Sequence, residues 1–381
     1  MTFFNVPPAF DWPVQFCTAV TAFCYVTSVI TSNVSQVDRL WTFLPTIYTA
    51  YYALLPLLPT EQPFFLAPYA PKSLGHAVLR DFSPRAVLML ALSVIWMFRL
   101  SYNTYRRGLF SLKDEDYRWA VLRSQIPAWF FQFTNLTFIA IIQNILLLLL
   151  GAPAFIASVL QPHTDLSTSD YALALTALAI LTFEFTADNQ QYAYQTYKHA
   201  YLAHTKGVKS VAPYEEKKQW PLARLEWTPS DARRGFVTKG LWRFSRHPNF
   251  ACEQSFWWVM TLLPLWSPSP PDLPSFPSIQ VLADASLRKE AILAYLKPTG
   301  LLLLPAIALT ILFISSTNYT EGITKKKYPV AYAAYQKRVG MFLPLKAIFT
   351  ELAGGKEKEK TDKLVWGEFY GDGASKTAKS E

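Results

Sequence analysis

The chain has 381 residues, of which 51% are hydrophobic and 15% aromatic, and its formal net charge at pH 7 is +9. Long uncharged runs in such a composition indicate an integral membrane protein. The Lys and Arg residues cluster between the apolar runs, where positive charge sets orientation in a bilayer, so nucleic-acid binding is not expected. Three cysteines in apolar settings, without the paired spacing of a zinc site, do not suggest a disulfide framework.

Apolar windows of about twenty residues predict the membrane-spanning helices. No basic residue precedes Arg39, so the first span is predicted to be a retained anchor rather than a cleaved signal. We predict an all-α, polytopic integral membrane helix bundle with about seven transmembrane helices. Six or eight spans remain compatible, because the first two contain Pro45, Pro56 and several polar residues and the sixth is short. The predicted spans lie near residues 13–33, 41–59, 85–101, 128–151, 171–187, 254–268 and 298–316.

The loops differ in positive charge. Loops 102–127 and 188–250 and the segment after 316 are rich in Lys and Arg, whereas loop 152–170 has neither. Positive-inside reasoning therefore predicts a lumenal N-terminus and a cytosolic C-terminus. Spans of this length fit the thin endoplasmic reticulum bilayer, although a bacterial inner membrane is an alternative. Residues 1–350 are predicted to form the membrane-embedded domain, and the polar residues 351–381 a disordered cytosolic tail.

Two of the predicted spans end in polar side chains. Arg99, Tyr102 and Arg106 recur at helical spacing at the end of the third span and would share one face, although they are also typical of a boundary helix with ordinary anchors. Glu184 and Asp188 lie four residues apart at the end of the fifth span. A carboxyl group in apolar surroundings suits proton transfer, but Glu184 would equally suit a structural ion pair with an arginine such as Arg99.

Residues 240–258 join a dense polar cluster to an apolar run. Arginine, histidine and asparagine side chains at such a turn offer fixed donors for phosphates or a carboxylate. Pro248 disfavours helix at the residue before it and so shapes the turn. The alternative is a basic juxtamembrane turn with snorkelling arginines and interfacial tryptophans. The polar side chains of the cluster are Arg243, Arg246, His247, Asn249 and Glu253.

The segment after the last predicted span carries Glu321, Tyr328, Tyr332 and Tyr335 at helix-compatible intervals. They would line one side of a helix, and an amphipathic helix on the membrane surface is the simpler interpretation. No metal is predicted, because His199 and His204 are five residues apart and no carboxylate completes a site.

Two separate blocks resemble one family. The string Ser245-Arg246-His247-Pro248-Asn249-Phe250, with Glu253 and the pair Trp257-Trp258 after it, resembles the cofactor-binding signature of the steroid 5-alpha-reductase-like membrane proteins. The pattern Arg-Leu-x-x-Asn from Arg99, followed by Arg-Arg-Gly and Glu-Asp-Tyr-Arg-Trp, looks like a poorly characterised branch of that family. The Arg-His-Pro-x-aromatic core also resembles the isoprenylcysteine and phospholipid methyltransferases, which share the architecture.

The resemblance implies an NADPH-dependent reductase of a carbon-carbon double bond in a sterol-like or other lipid substrate. It implies that Arg246, His247 and Asn249, helped by Arg243, hold the phosphates or ribose of the cofactor. Glu253 and Asp188 would then orient its polar groups. The segment with Glu321 and Tyr332 would close over the cofactor, and the candidate proton donors are Tyr102 and Glu184. No Gly-x-Gly-x-x-Gly element follows a strand, so the cofactor is expected in a membrane cavity.

Two other functions stay open at this stage. The first is S-adenosylmethionine-dependent methylation of a lipid or a prenylated cysteine, with the Arg-His-Pro turn holding the methionine carboxylate; Ala251 and Cys252 stand where that pattern usually has a glycine. The second is a noncatalytic membrane protein with the same fold. The apolar lining suits sterol, fatty acyl and polyprenyl groups alike, and the sequence carries no sign of oligomeric state.

Overall fold

Apolar runs in a membrane protein fold into helices because a helix satisfies its own backbone polar groups where no water is available. A computed structural model describes residues 6–272 and 274–369, and these ranges contain helices and turns but no β-strand. The prediction of an all-α polytopic membrane bundle is confirmed. The α-helices are α1 (Asp11–Thr31), α2 (Gln36–Leu40), α3 (Leu44–Ala53), α4 (His76–Arg80), α5 (Pro84–Arg106), α6 (Tyr117–Gln125), α7 (Ala128–Thr134), α8 (Gln143–Leu149), α9 (Ala152–Phe155), α10 (Thr168–Thr205), α11 (Pro229–Arg234), α12 (Pro248–Leu265), α13 (Ile279–Ala283), α14 (Ala285–Lys327), α15 (Pro329–Arg338), α16 (Leu345–Ala353) and α17 (Lys356–Trp366).

Shorter helical turns connect these elements. Two π-helical stretches, Asn135–Ile142 and Ile156–Leu160, follow α7 and α9 and make residues 128–160 one long apolar segment. The 3-10 turns are Pro8–Phe10, Leu55–Leu57, Lys72–Leu74, Glu216–Lys218, Pro221–Ala223 and Gly240–Arg243.

Five helical segments in the described part of the chain are long and apolar enough to cross a membrane. They are Pro8–Thr31, Pro84–Arg106, Ala128–Leu160, Thr168–Thr205 and Ala285–Lys327. The predicted count of about seven included two further segments. Of these, 41–59 contains the 10-residue helix α3, and 254–268 falls largely within the 18-residue helix α12.

Two of these helices are much longer than a bilayer is thick. At 1.5 Å per residue, α10 measures about 57 Å and α14 about 65 Å, against a hydrocarbon core of about 30 Å. Both therefore continue well beyond the predicted spans 171–187 and 298–316. The polar residues that follow those spans, including Asp188 and Glu321, lie on regular helix rather than in loops.

The chain divides into two compact units, of which the first comprises Met1–Leu178 and Phe256–Ile311. Its core includes an ion pair between Arg85 and Asp170, whose side chains are both 1% exposed, with Nε–Oδ1 2.7 Å apart. Gly151 allows α3 to pass closely, because a Cβ there would lie 2.5 Å from the Cβ of Tyr48.

The second unit comprises Ala179–Ser255 and Leu312–Glu381 and holds almost all the predicted site residues. Its apolar core lies under α15 and α17, where aromatic rings pack edge to face. The core residues are Phe236, Ala331, Tyr332, Ala334, Tyr335, Val339, Ala347, Val365 and Phe369.

The structure corrects the prediction of a disordered tail for part of its length. Residues 356–366 form α17, and Val365 and Phe369 are buried in the core of the second unit. Arg234 Nη2 also donates a hydrogen bond of 2.7 Å to the Gly367 carbonyl. Although the segment is rich in Lys and Glu, its few apolar side chains are enough to pack one helix against the core of the second unit. Residues 370–381, the rest of the predicted tail, lie outside the described residues.

Candidate functional site

The turn before α12 is held against α10 by short contacts. Gly240 has φ +66°, a conformation that favours glycine, and a Cβ there would lie 2.4 Å from Gln190 Oε1 and force that side chain to move. Gln190 Oε1 accepts a hydrogen bond of 2.8 Å from the Leu241 N–H, and Trp242 Nε1 donates to the Ala187 carbonyl at 3.2 Å. These contacts fix the path of the chain into the Arg-His-Pro string.

The string then runs beside the segment that follows α15. The backbone N–H of Arg246 donates to the Gly340 carbonyl at 2.9 Å, and that of His247 donates to the Met341 carbonyl at 3.0 Å. The hydroxyl of Tyr335 donates to the Trp242 carbonyl. Two parts of the sequence about ninety residues apart are thereby joined at the backbone, independently of any charged side chain.

Glu321, near the end of α14, gathers three side chains of the site. Arg246 binds both oxygens of its carboxylate through one edge of the guanidinium, with Nε–Oε1 2.7 Å and Nη2–Oε2 2.9 Å. His247 Nε2 lies 2.9 Å from Oε1, and Gln336 Nε2 donates to Oε2 at 2.8 Å. Arg246 is 8% exposed and Glu321 4%, so this is a buried, bidentate ion pair rather than a surface contact.

Most of the N–H groups of Arg246 already donate hydrogen bonds within the protein. A guanidinium has five N–H groups. Two of them bind Glu321, and one on Nη1 binds the Val339 carbonyl. The two others are not used by these contacts, but the guanidinium also interacts with the Tyr332 hydroxyl, and its charge is already matched by Glu321.

His247 is neutral in this setting near pH 7. Burial lowers its pKa, while the hydrogen bond and charge of Glu321 oppose the shift and Arg246 adds to it. A carboxylate only accepts hydrogen bonds, so Nε2 carries the proton and Nδ1 is the acceptor nitrogen. The triad of Arg246, His247 and Glu321 is therefore close to neutral overall.

A second polar pair joins the first turn of α12 to α10. Asn249 Nδ2 donates to Asp188 Oδ1 at 3.1 Å, and the two residues are 7% and 2% exposed. Asn249 Oδ1 is buried and has no hydrogen-bond partner. A buried acceptor left unpaired costs about 1–3 kcal/mol, which marks this atom as one that a ligand N–H or O–H would satisfy.

The carboxylates near this pair are also buried. Glu184 lies one helical turn before Asp188 on α10 and is 1% exposed. Glu253 lies one turn after Asn249 on α12 and is 5% exposed. The structure thus buries all the acidic residues that the sequence placed near the cofactor.

Tyr332 lies beside the ion pair of Arg246 and Glu321. It is buried edge-on to Phe236, with centroids 4.9 Å apart, and both Glu321 and Arg246 act on its hydroxyl. Two other predicted residues lie in different surroundings. Arg243 is exposed, with its guanidinium carbon 4.9 Å from the ring centroid of Trp366. Tyr102 belongs to the first unit, is 51% exposed, and has the Arg106 guanidinium 5.1 Å from its ring centroid.

Gln336 and the carbonyls of residues 339–341 were not among the predicted site residues. Gln336 follows Tyr332 by four residues, so extending the helical face by one turn would have found it. The carbonyls have no sequence signature because every residue carries one. Thr317, which precedes Glu321 by one turn on α14, was also missed; it is fully buried and its hydroxyl has no hydrogen-bond partner.

Within residues 6–272 and 274–369, no group of three or more His, Cys, Asp or Glu side chains is placed to hold a metal ion. The histidines His199 and His204 both lie on α10. The expectation of no metal stays a prediction.

Comparison with known proteins places the chain in a family. It is 30% identical over 317 residues to the Schizosaccharomyces pombe protein described as uncharacterized protein C594.04c, an alignment that covers 83% of this chain and 74% of that protein. No solved structure matches the chain. The family model described as protein of unknown function (DUF1295) matches residues 24–269, which include the Arg-His-Pro string and Asp188. Since this match covers more than half of the sequence, the chain belongs to the DUF1295 family.

Proposed function

We propose that this protein is a membrane-bound, NADPH-dependent reductase of a carbon-carbon double bond in a sterol-like or other lipid substrate. The observation that carries the proposal is Asn249, whose Oδ1 is buried without a partner while its Nδ2 binds Asp188. It lies inside the string that resembles the cofactor signature of steroid 5-alpha-reductase-like proteins. A nicotinamide cofactor has a carboxamide and ribose hydroxyls, and their N–H and O–H groups suit an acceptor of this kind.

Some residues around Asn249 would position the turn, and others would bind the cofactor. Arg246 and His247 hold the turn through Glu321, and only the two remaining N–H groups of Arg246 would meet a phosphate. The bound cofactor would supply the hydride. The accompanying proton would come from a buried acid, and we favour Glu184 because it shares a helix face with Asp188. We further propose an endoplasmic reticulum location with a lumenal N-terminus and a cytosolic C-terminus.

The proposal is tested by equilibrium binding of NADPH to the detergent-purified protein. The expected result is saturable NADPH binding that Asn249→Ala weakens by about tenfold, the equivalent of about 1.4 kcal/mol. The matched control is Asn144→Ala, which removes a fully buried asparagine of the first unit that donates to the Ala140 carbonyl. The control should bind NADPH like the wild type.

S-adenosylmethionine, titrated in parallel, separates the alternatives. Binding of S-adenosylmethionine but not NADPH would overturn the reductase proposal in favour of methyl transfer. Binding of neither ligand would favour a noncatalytic protein. Equal NADPH binding by wild type and Asn249→Ala would remove the role proposed for the unpaired amide oxygen.

A further inference from the structure

Helix α16 exposes a continuous apolar face. Leu345, Ile348, Phe349 and Leu352 follow the i, i+3, i+4, i+7 spacing of one helix side, and they are 54%, 43%, 65% and 79% exposed. Ala347, on the opposite side, is 5% exposed and packs in the core of the second unit. Contiguous apolar surface of this kind marks an interaction site rather than ordinary protein surface.

Positive charge borders this apolar face. Lys346 on α16 is exposed, and so is Arg243. Arg243 also lines a groove of about 360 Å³ together with Ile348 and Leu352; Glu351 lines it too, but its carboxylate is paired with Arg338 and Lys358. Apolar side chains flanked by exposed cations are the features that an amphipathic helix presents to the headgroup region of an anionic bilayer.

The chain's own C-terminal residues do not suit this face. The twelve residues after Phe369 read Tyr-Gly-Asp-Gly-Ala-Ser-Lys-Thr-Ala-Lys-Ser-Glu. Apart from the initial tyrosine, their largest apolar side chain is that of alanine. Such a segment has no row of apolar groups to cover four exposed side chains. A bilayer, by contrast, is already required by the membrane-spanning helices.

We propose that α16 is an interfacial membrane helix. Its face of Leu345, Ile348, Phe349 and Leu352 enters the boundary between lipid headgroups and acyl chains, and Arg243 and Lys346 meet anionic headgroups. This inference concerns a surface outside the triad of Arg246, His247 and Glu321. It does not depend on which reaction, if any, the protein catalyses.

Hydrogen bonds connect α16, the proposed membrane-contacting helix, to the candidate site. Lys346 Nζ donates to the Gln336 carbonyl at 2.9 Å, and Arg338 Nη1 donates to the Ala347 carbonyl at 3.0 Å. Gln336 in turn binds Glu321 through its side chain. Seating α16 on the bilayer would therefore steady α15 and the carbonyls that accept from Arg246 and His247.

The test places single fluorescent labels on the full-length protein in lipid vesicles. Phe349→Cys and Leu352→Cys report on the apolar face, and Lys360→Cys, an exposed position on α17, is the control. The three native cysteines are replaced by alanine, and each variant's melting temperature is checked against the parent. Quenching is measured with nitroxide-bearing phospholipids and with aqueous iodide, in phosphatidylcholine vesicles with and without phosphatidylserine.

We expect nitroxide lipid to quench labels at 349 and 352 at least about twofold more than the label at 360, and iodide to show the reverse order. Phosphatidylserine should strengthen the lipid quenching, and Lys346→Gln should reduce that gain. Strong iodide quenching at 349 and 352 would mean that the face lies in water and would overturn the proposal. Protection from both quenchers would mean that protein covers the face, which would overturn it as well.

Discussion

At the residue scale, the stability of the site depends on Glu321 keeping its cationic partner. Arg246→Ala leaves a buried carboxylate without its charge partner, and we expect a loss of about 3–5 kcal/mol in unfolding free energy. Adding Glu321→Ala should return part of that loss, because the uncompensated charge is then gone. The melting temperatures of the wild type, both single variants and the double variant in detergent measure the coupling. Additive effects of the two substitutions would contradict a direct pairing.

The pH dependence of stability is expected to include a contribution from His247. Burial lowers its native pKa below its ordinary value, so on acidification the unfolded chain takes up a proton before the native protein does. Its contribution is complete above about pH 6.5 and is lost as the pH falls from there toward the native pKa. The melting temperature should therefore drop over that window. His247→Gln should flatten the drop, and an unchanged drop in that variant would contradict the assignment to His247.

The sequence pointed to several side chains of this cluster but not to the way in which they interact. Arg246, His247, Asn249 and Asp188 were predicted to bind a cofactor, and that role stays a prediction; the structure shows that they are buried or nearly so. The expectation was that Arg246 faces a ligand. A partner 75 residues away, Glu321, instead engages the Nε–Nη2 edge of its guanidinium, and such a pairing leaves no local pattern in the sequence.

At the scale of elements, α17 is expected to be required for the second unit to fold. Arg338 ties it to α16 by donating to Asp362 at 2.7 Å and to Glu351, and Trp366 Nε1 donates to the Thr238 carbonyl at 2.9 Å. A chain ending at residue 354 would keep Glu351 but lose Trp366 and leave Arg338 without the carboxylate of Asp362. We expect a lower melting temperature and loss of any ligand binding that the full chain shows.

A chain ending at Phe369 is the matched control for that truncation. It retains α17 and removes only the residues for which a disordered tail is still predicted, so it should melt like the full-length protein. Equal melting of the full chain and the chain ending at 354 would show that α17 is dispensable.

The elements themselves were predictable to different degrees. Five predicted spans coincide with long apolar helices because twenty apolar residues leave few alternatives in a membrane. Their ends were not predictable, since α10 and α14 continue as polar helix once the hydropathy signal is lost. The packing of α17 was not predicted because disorder was inferred from the average composition of the segment, in which a few apolar residues near its end count for little.

At the scale of the whole molecule, the topology predicted from the loop charges can be tested directly. Lys113 and Asp165 are both exposed, one in the basic loop and the other in the loop without Lys or Arg. Single cysteines at these positions, probed with a membrane-impermeant maleimide in sealed microsomes, should react on opposite faces. We expect Lys113→Cys to be labelled from the cytosolic side and Asp165→Cys only after the membrane is opened. Labelling of both from one side would contradict the predicted arrangement.

The pairing of the Arg-His-Pro string with residues 339–341 has a consequence for biosynthesis. Arg246 and its acceptor at Val339 are 93 residues apart, and the contacts around Arg338 extend further still, to α17. A nascent chain would therefore have inserted most of its helices before the partners of its central motif left the ribosome. Until residues 321–339 had been made, Arg246 would have neither Glu321 nor Val339 to bind. A premature stop codon before Val339 would thus leave the central motif without these partners, however many membrane helices had already been made.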